Sequence, residues 1–269
     1  MSDLVANAST RRFSLAIDDG MARLRLVRPD GVNAIDPEWV SALGAAVAEC
    51  ERAAGLRALL ISADGAAFSV GGDLRHFGEQ LDRLPDALEE MVAPYHEVLG
   101  RLAELAVPVV CAVHGAVAGG ALGLVWCSDI VLVAEDAKLA TGFTRLGLSG
   151  DGGSSWWLPR LVGMVRAREL MLGARVLSGV EAAEWGLVTR AVPGDRLEDE
   201  ALAAARELSA GPTTAYGEMR RLLARSLSLD VDAGLAAELA ACLRSGATAD
   251  AREGIRAFRE RREPRFGGC

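Results

Sequence analysis

Two glycine-bearing turns constrain the fold of this 269-residue chain more than any other feature. They read Phe68-Ser-Val-Gly-Gly-Asp-Leu74 and His114-Gly-Ala-Val-Ala-Gly-Gly-Ala-Leu-Gly-Leu124, and each follows an apolar run typical of a buried strand. Glycine permits a sharp change of direction and lets backbone N–H groups approach a ligand closely. If each turn begins a helix, its unpaired N–H groups lie at the positive end of that helix. Two such turns that meet would form an oxyanion hole, which stabilises negative charge developing on an oxygen atom.

The charge of the chain limits the kinds of partner that it can bind. A formal net charge of −8 argues against nonspecific binding to nucleic acid or to an anionic membrane. The tail is locally basic, since six arginines and three glutamates lie between Arg252 and Arg265. Such a segment is typical either of a solvated terminal helix or of a phosphate-binding patch.

Cysteine and histidine usage predicts neither disulfides nor a metal site. The five cysteines have no C-x-x-C spacing, and the three histidines form no ligand pair at helical spacing. Reduced thiols, together with a start that lacks the features of a signal peptide, predict a cytoplasmic protein. The uncharged run from Val107 to Cys127 is long enough for a membrane span. However, Pro108, four glycines and His114 interrupt this run, so we expect a strand, a turn and a helix instead.

Hydrophobic periodicity predicts an α/β fold. Apolar and polar residues alternate on both sides of Asp19-Gly20, which predicts a hairpin, and Asp36-Pro37 is typical of a helix start. Helices are expected to fill the chain beyond residue 155, and no strand signal follows Ala201. We therefore expect a core over residues 1–200 and a helical C-terminal region over residues 201–269. The other predicted elements are strands over 13–18, 22–27, 58–62, 107–113, 130–134 and 137–141, and helices over 36–55 and 88–105.

Taken in order, several segments resemble the crotonase (enoyl-CoA hydratase/isomerase) superfamily. The matching segments are residues 26–35, 68–74, 107–129, 147–153, 178–186 and 253–266, which together span nearly the whole chain. The resemblance implies a crotonase-like spiral of β-β-α units with a C-terminal helical region. It also implies an acyl-CoA thioester as ligand, with no separate cofactor because coenzyme A is part of the substrate, and a homotrimer or a dimer of trimers.

The same resemblance assigns roles to individual residues. It places the oxyanion hole at the backbone N–H groups of Gly72 and Gly120, each of which would stabilise an enolate by about 3–4 kcal/mol. The tail would hold the adenine and phosphate end of coenzyme A, often from a neighbouring subunit, through an aromatic ring and a guanidinium. The residues that the resemblance implies in substrate binding are Val32, Ala34, Val70, Asp73, Leu74, Phe143, Phe258 and Arg261.

Two positions depart from the hydratases of this family. Those enzymes place two glutamates around the substrate double bond, where they hold and activate a water molecule. The matching positions in this chain are Gly123 and Phe143, which carry neither an acid nor a base. The sequence therefore disfavours hydration by a pair of carboxylates.

Asp151, in the loop that ends at Trp157, is the remaining candidate for acid/base catalysis. This loop most resembles that of the ring-epoxyphenylacetyl-CoA isomerase of phenylacetate breakdown and of related enoyl-CoA isomerases, which carry a catalytic aspartate here. One carboxylate suits isomerisation, because it can take a proton from one carbon and return it to another. Burial among apolar neighbours would raise the pKa of Asp151 above the usual value of about 3.9. From the residues alone, an aspartate before Gly-Gly is equally typical of a turn or a helix cap.

The sequence leaves other functions and other residues open. The chain could be a hydratase with an unrecognised water-holding pair, a thioester hydrolase or dehalogenase that uses Asp151 differently, or a non-catalytic acyl-CoA-binding protein. His76 could line the acyl pocket, although a histidine that faces solvent or its own helix is the simpler interpretation. His114 is expected to tie a strand end to its turn, and one of Trp156 and Trp157 is expected to contact the acyl chain.

Overall fold

The computed structural model describes residues 6–9, 12–226 and 228–269 and has a mixed α/β architecture. Within these residues the strands are β1 (Ala6–Ser9), β2 (Phe13–Asp18), β3 (Met21–Leu26), β4 (Ala58–Ala63), β5 (Val109–Val113), β6 (Ala116–Ala118), β7 (Ile130–Ala134), β8 (Lys138–Ala140), β9 (Val176–Ser178) and β10 (Arg190–Val192). The helices are α1 (Pro37–Arg52), α2 (Leu74–Gly78), α3 (Leu84–Glu104), α4 (Leu122–Trp126), α5 (Ser154–Gly173), α6 (Gly179–Glu184), α7 (Leu197–Ser209), α8 (Thr213–Arg225), α9 (Val231–Gly246) and α10 (Ala249–Glu260). Short 3₁₀ turns cover Leu81–Arg83, Gly119–Ala121, Phe143–Leu146 and Gly194–Arg196.

Two sheets organise the described chain. The larger one has the order β1-β2-β3-β4-β5-β7-β10, and the smaller one has the order β6-β8-β9. Strands β1 to β3 pair antiparallel, whereas β3, β4, β5, β7 and β10 pair parallel. Every residue of β5 is buried, as expected of a central parallel strand that is covered on both faces. Helix α7 packs on β4 and β5 and covers part of this sheet.

The predicted α/β fold with a helical C-terminal region is confirmed. The hairpin forms as predicted, with β3 starting one residue earlier than expected. The start of α1 also follows the prediction, since the Asp36 carboxylate accepts a hydrogen bond from the Trp39 N–H at 2.7 Å and Pro37 occupies the first turn. The apolar face of α1, which includes Val40 and Leu43, is buried against the core.

Other elements differ from the prediction. Helix α3 begins at Leu84 rather than Leu88, because Pro85 is accommodated in its first turn. The expectation of helices alone beyond residue 155 is wrong, since β9 and β10 lie in that region. Each of these strands has only three residues and is fixed by pairing with β8 or β7, so the local sequence carries no alternation. The boundary expected at residue 200 lies within α7, and the division into two regions stays a prediction.

Each glycine turn leads into a short helix, as the sequence predicted. The first turn follows β4 and continues into α2, whose N-cap is Asp73. The second turn follows β5 and continues through the 3₁₀ turn Gly119–Ala121 into α4. Neighbouring parallel strands present their carboxyl ends at the same edge of a sheet, so both turns lie at that edge of β4 and β5. No helix of the described chain has the length and apolar character needed to cross a membrane.

Candidate active site

The two glycine turns are in direct contact. Ser69 donates its N–H to the Ala116 carbonyl at 3.2 Å, and the Ala118 N–H returns a hydrogen bond to the Ser69 carbonyl at 3.0 Å. Gly71 has φ of +85°, and a Cβ atom placed on it would lie 2.7 Å from the Ala118 carbonyl oxygen. Only glycine fits this left-handed conformation at such close range. The predicted meeting of the two turns is therefore present in the structure.

Gly72 presents an N–H group that the adjoining bridge does not use. The Ile35 N–H donates to the Gly71 carbonyl at 2.8 Å, and the Asp73 N–H donates to the Ile35 carbonyl at 2.8 Å. These two bonds form a parallel bridge in which Gly72 lies opposite Ile35. In such a bridge the middle residue points its own N–H and carbonyl groups to the other side. The Gly72 N–H is thus directed away from Ile35, where it can donate to a ligand.

Gly120 presents the corresponding group of the second turn. It is the second residue of the 3₁₀ turn, where N–H groups have no partner within the helix. Its carbonyl accepts a hydrogen bond from the Tyr95 hydroxyl at 2.8 Å. Burial raises the pKa of Tyr95 well above its usual value, so the hydroxyl keeps its proton and remains a donor. This bond from α3 fixes the peptide group between Gly120 and Ala121, which directly follows the donor.

The Asp151 carboxylate lies directly over Gly120. A Cβ atom placed on Gly120 would be 2.5 Å from Asp151 Oδ1. Oδ1 is closed off from solvent and has no hydrogen-bond partner among the described residues. Burial raises the pKa of Asp151 above its usual value, and the nearby His96 acts in the opposite direction. The site therefore combines a carboxylate of increased basicity with an adjacent backbone donor.

His96 joins the site, and the sequence analysis did not single it out. The Gly152 N–H donates to His96 Nε2 at 3.0 Å, across a separation of 56 residues. This bond requires an unprotonated Nε2 atom, which is the acceptor of a neutral imidazole. His96 follows Tyr95 on the predicted helix 88–105, but its role depends on a tertiary contact that leaves no local sequence pattern.

An apolar cavity of about 340 Å³ opens beside Asp151. Phe143 belongs to this cavity, and its ring lies 3.7 Å from where a Cβ atom of Gly119 would be. The structure therefore brings Phe143 and Asp151 together against the second glycine turn, in agreement with their positions in the motifs. The full lining consists of Leu88, Glu89, Val92, Ala93, His96, Phe143, Leu148, Ser149, Gly150 and Asp151.

The position that carries a glutamate in family hydratases is sterically closed. A Cβ atom on Gly123 would lie 2.7 Å from Leu99 Cδ1 and 2.8 Å from the Gly152 carbonyl oxygen. Both distances are shorter than real Cβ contacts, and the second involves backbone, so any side chain here would displace the Asp151 loop. The loop thus occupies the space that a glutamate at this position would need.

Asp73 is engaged in structural contacts at the first turn. Its Oδ2 atom lies 2.7 Å from Arg28 Nη2, and its Oδ1 atom accepts the Arg75 N–H at 3.0 Å. Burial acts to raise the pKa of Asp73, but Arg28 and the N–H groups at the start of α2 outweigh it and lower the pKa below its usual value. On either side of this residue, Val70 and Leu74 are exposed by 39% and 56%.

Val32 and Ala34 lie in a loop that runs along the first turn. The Val32 carbonyl accepts the Val70 N–H at 3.1 Å. The Ala34 carbonyl accepts a hydrogen bond from the Arg28 guanidinium, which also binds Asp73. Arg28 therefore ties this loop to the first glycine turn, and both expected binding residues lie beside it.

The two tail residues do not reach the Asp151 cavity of the same chain. Phe258 lies on α10 with 86% of its surface exposed. Arg261 ends α10 in a left-handed conformation with φ of +54°, and it is exposed. Neither residue contributes to the lining of the cavity.

The secondary candidates lie outside the cavity. His76 Nε2 lies 3.0 Å from the Gln80 amide nitrogen within the α2 region, and His114 Nε2 lies 3.0 Å from the Gly65 carbonyl oxygen. The contact of His114 connects the end of β5 to the segment after β4, which agrees with its expected structural role. Trp156 and Trp157 line a separate cavity of about 380 Å³ together with residues of α3 and α8.

Comparisons with known proteins agree with this architecture over almost the full chain. A family profile described as Enoyl-CoA hydratase/isomerase matches residues 16–269. A Rhodobacter capsulatus protein named "Probable enoyl-CoA hydratase" is 37% identical over 253 residues, which cover 94% of this chain and 96% of that protein. The 1,2-epoxyphenylacetyl-CoA isomerase of Escherichia coli is 34% identical over 253 residues, with coverages of 94% and 97%. The crystal structure of an enoyl-CoA hydratase from Polaromonas sp. JS666 matches with a TM-score of 0.87 at 27% identity, over 97% of this chain and 99% of that chain.

Proposed function

The chain belongs to the enoyl-CoA hydratase/isomerase family, and we propose that within it this protein moves the double bond of an unsaturated acyl-CoA thioester. The observation that carries the proposal is the position of Asp151. Its Oδ1 atom is buried, has no partner among the described residues and lies against Gly120. A carboxylate placed in this way can act on the carbon atoms next to a thioester carbonyl that the backbone holds.

The proposed reaction needs two backbone donors and one base. The N–H groups of Gly72 and Gly120 donate to the thioester oxygen and stabilise the negative charge that develops there. Asp151 takes a proton from one carbon, the electron pair forms a dienolate, and the same carboxyl group returns a proton two bonds away. The raised pKa of Asp151 favours this step, because a stronger base removes a carbon-bound proton more readily.

Hydration is the less favoured reaction at this site. Adding water across a double bond in this family uses two side chains that hold and activate the water molecule. At one of the two matching positions Gly123 is closed by Leu99 and Gly152, and at the other Phe143 supplies only a hydrocarbon ring. The remaining carboxylate supports proton transfer within the substrate better than it supports hydration.

The walls of the cavity indicate the acyl group. Leu88, Val92, Phe143 and Leu148 give the 340 Å³ space a largely apolar lining, so we infer an apolar acyl group rather than a charged one. The Escherichia coli relative is named for a ring-bearing acyl-CoA. A ring-derived thioester, as in phenylacetate breakdown, therefore belongs among the candidate substrates beside open-chain enoyl-CoA esters.

The proposal includes a homotrimer or a dimer of trimers in the cytoplasm. The tail residues Phe258 and Arg261 could then hold coenzyme A at the site of a neighbouring subunit. An assembly would also cover large apolar side chains that the single chain exposes, and the five unpaired cysteines favour a reducing compartment. The exposed apolar residues of the C-terminal helices include Met219, Leu223, Val231, Leu235, Leu239, Leu243 and Ile255.

A substrate panel in deuterated water tests the proposed reaction. The purified protein would be incubated with 2-enoyl-, 3-enoyl- and ring-derived CoA esters, and the products would be followed by mass spectrometry. We expect a shift of the double bond with incorporation of solvent deuterium and without addition of water. A product heavier by one water would favour the hydratase, and free coenzyme A would favour a hydrolase.

The same panel addresses the non-catalytic alternative. Binding of the CoA esters without any change in mass or double-bond position would contradict the isomerase proposal and favour an acyl-CoA-binding protein. Heat stabilisation by a CoA ester and by the matching free acid provides the binding control. Equal stabilisation by both ligands would argue against a thioester site.

A further inference from the structure

We propose that His96 is a positioning residue for this isomerisation: as a neutral imidazole it holds the Asp151 loop through Gly152 and thereby keeps the carboxylate over Gly120. The inference rests on the proposed function, because it assigns a role in the same proton transfer. It differs from a direct catalytic role, since His96 acts through the Gly152 backbone.

The carboxylate of Asp151 has no hydrogen bond of its own that could aim Oδ1. That atom is buried and has no partner among the described residues. Its direction must therefore be set by the backbone that carries it, and the peptide group between Asp151 and Gly152 is held at both of its polar atoms. The carbonyl of this peptide accepts the Ser154 N–H and hydroxyl, at 3.1 and 2.5 Å. Its N–H donates to His96, which is the contact from outside the loop.

Gly152 is held tightly between the second glycine turn and His96. It has φ of +59°, and a Cβ atom on it would lie 2.6 Å from the Gly120 carbonyl oxygen. The Gly120 carbonyl is itself fixed by Tyr95, which precedes His96 on α3. The same helix therefore holds the peptide group that follows the oxyanion donor through one side chain, and the loop that carries Asp151 through the next. Loss of the bond between His96 and Gly152 would free the loop that carries Asp151 and leave the bond between Tyr95 and Gly120 in place.

Protonation of His96 would break this contact. A protonated Nε2 atom is a donor and cannot accept the Gly152 N–H. The resulting cation would also stabilise the Asp151 carboxylate and weaken it as a base. Among the described residues, the charged groups that line the cavity with His96 are Asp151 from the loop and Glu89 from α3. Tyr95 packs beside His96 with ring centroids 6.5 Å apart, but its hydroxyl is bonded to Gly120.

The sign of the pH effect follows from the base. Burial raises the pKa of Asp151, and Asp151 must be deprotonated to act, so kcat should fall as the pH falls. The contact of His96 is tested by substitution.

The test compares two substitutions at His96 with one at a control histidine. His96→Gln places a carbonyl oxygen near the position of Nε2, where it can accept the Gly152 N–H but cannot be protonated. His96→Phe keeps a ring of similar size and removes the acceptor. His76→Gln is the matched control, because His76 is bonded to Gln80 and lies outside the cavity.

We expect His96→Phe to lower kcat about 100-fold, as a displaced catalytic group does, while the Kd of the acyl-CoA changes little. His96→Gln should recover most of the rate, because it keeps an acceptor for the Gly152 N–H, and His76→Gln should keep the native kcat. A full rate in His96→Phe, or a rate in His96→Gln as low as that of His96→Phe, would overturn the positioning role.

The amide resonance of Gly152 gives a readout that does not depend on turnover. Exchange of this amide with deuterated solvent should be slow in the native protein and in His96→Gln, and faster in His96→Phe, which lacks the acceptor. This pattern in a protein that isomerises none of the esters would keep the His96 contact and overturn the proposed function. Equal exchange in the native protein and in His96→Phe would overturn the inference alone.

Discussion

The donor glycine of the first turn, Gly72, is bounded by side chains that can shift, whereas that of the second, Gly120, lies between α3 and the loop that carries Asp151. A Cβ atom on Gly72 would meet the Phe77 ring at 3.0 Å and the Met91 methyl group at 3.7 Å. A Cβ atom on Gly120 would meet Asp151 Oδ1 at 2.5 Å. The two turns thus offer similar backbone donors, but only the second has the Asp151 carboxylate packed on its donor glycine.

This difference in packing gives the two turns different tasks, although the sequence shows the same kind of glycine motif in both. In the proposed mechanism both turns bind the thioester oxygen, so both contribute to the oxyanion hole. Only the second turn also fixes the distance between the oxygen site and the base, because Asp151 and Gly152 pack directly on Gly120. The coupling of base and donor therefore depends on the second turn, and changes there should affect turnover most.

The largest expected effect comes from Asp151→Asn, which removes the base and keeps the shape of the residue. We expect kcat for isomerisation to fall by about 100- to 10,000-fold, because loss of a general acid/base has this cost. Exchange of the α-proton with deuterated solvent should be lost in parallel. Acyl-CoA binding, measured by calorimetry, should be retained, since the expected CoA contacts lie elsewhere.

The stability of the same variant should change in the opposite direction. The pKa of Asp151 is raised in the folded protein, so its ionisation costs folding free energy once the pH exceeds the value of the unfolded chain. Asp151→Asn removes that cost, and the variant should be more stable than the native protein at neutral pH. At a pH below the unfolded value, the difference should disappear. A folded variant with near-normal turnover would show that Asp151 is a turn residue and not the base.

Gly120→Ala tests the packing of Asp151 on the second turn. The added methyl group would occupy space within 2.5 Å of Asp151 Oδ1 and push the carboxylate away. A displacement of about 1 Å at a reacting group can cost about 100-fold in rate, and we expect a loss of kcat of that order. Stopped-flow turnover and a thermal melt would be measured together. A normal rate in a normally stable variant would contradict the proposed coupling of Gly120 and Asp151.

Gly72→Ala is the matched change in the first turn, and its effect should be smaller. The nearest atoms are the ends of the Phe77 and Met91 side chains, which can move by a few tenths of an ångström. The N–H donor itself is kept. We expect a loss of about tenfold or less in kcat, because the donor shifts by much less than 1 Å. A loss greater than that of Gly120→Ala would reverse the comparison between the turns.

Much of this arrangement follows from local sequence chemistry. The glycines predicted two turns that meet, and Asp36-Pro37 predicted the start of α1; both are present in the structure. These features depend on backbone geometry and on hydrogen bonds between residues that are close in the chain. The identity of a single residue is often enough to predict such features. Asp151 was selected through the resemblance of its loop to that of isomerases in this family, since the residues alone fit a turn or a helix cap equally well.

Other parts of the site depend on contacts that no local pattern reports. His96 meets Gly152 across 56 residues, and an exposed histidine on a helix gives no sign of such a partner. The closing of Gly123 by the Asp151 loop likewise appears only when α4 and that loop are packed together. The short strands β9 and β10 were missed for the same reason, since their pairing partners define them.

The smallest expected effect is that of Asp73→Asn, which tests what holds the first turn. There the restraint is an ion pair rather than a packed loop: the Asp73 carboxylate lies 2.7 Å from Arg28 with 15% of its side chain exposed. Asparagine is also a good N-cap, so the start of α2 should survive and the pairing charge alone should be lost. We expect the free energy of unfolding at neutral pH to fall by less than about 1 kcal/mol.

The pH dependence of this loss identifies the charge as its cause. The pKa of Asp73 is lowered in the folded protein, so its ionised form stabilises the fold at a pH above the pKa of the unfolded chain. This stabilisation is lost as the pH falls through the pKa of the folded protein. Urea unfolding at neutral and at acid pH should therefore show a difference between variant and native protein only at neutral pH. A difference that persists in acid would mean that packing at Asp73, and not its charge, restrains the first turn.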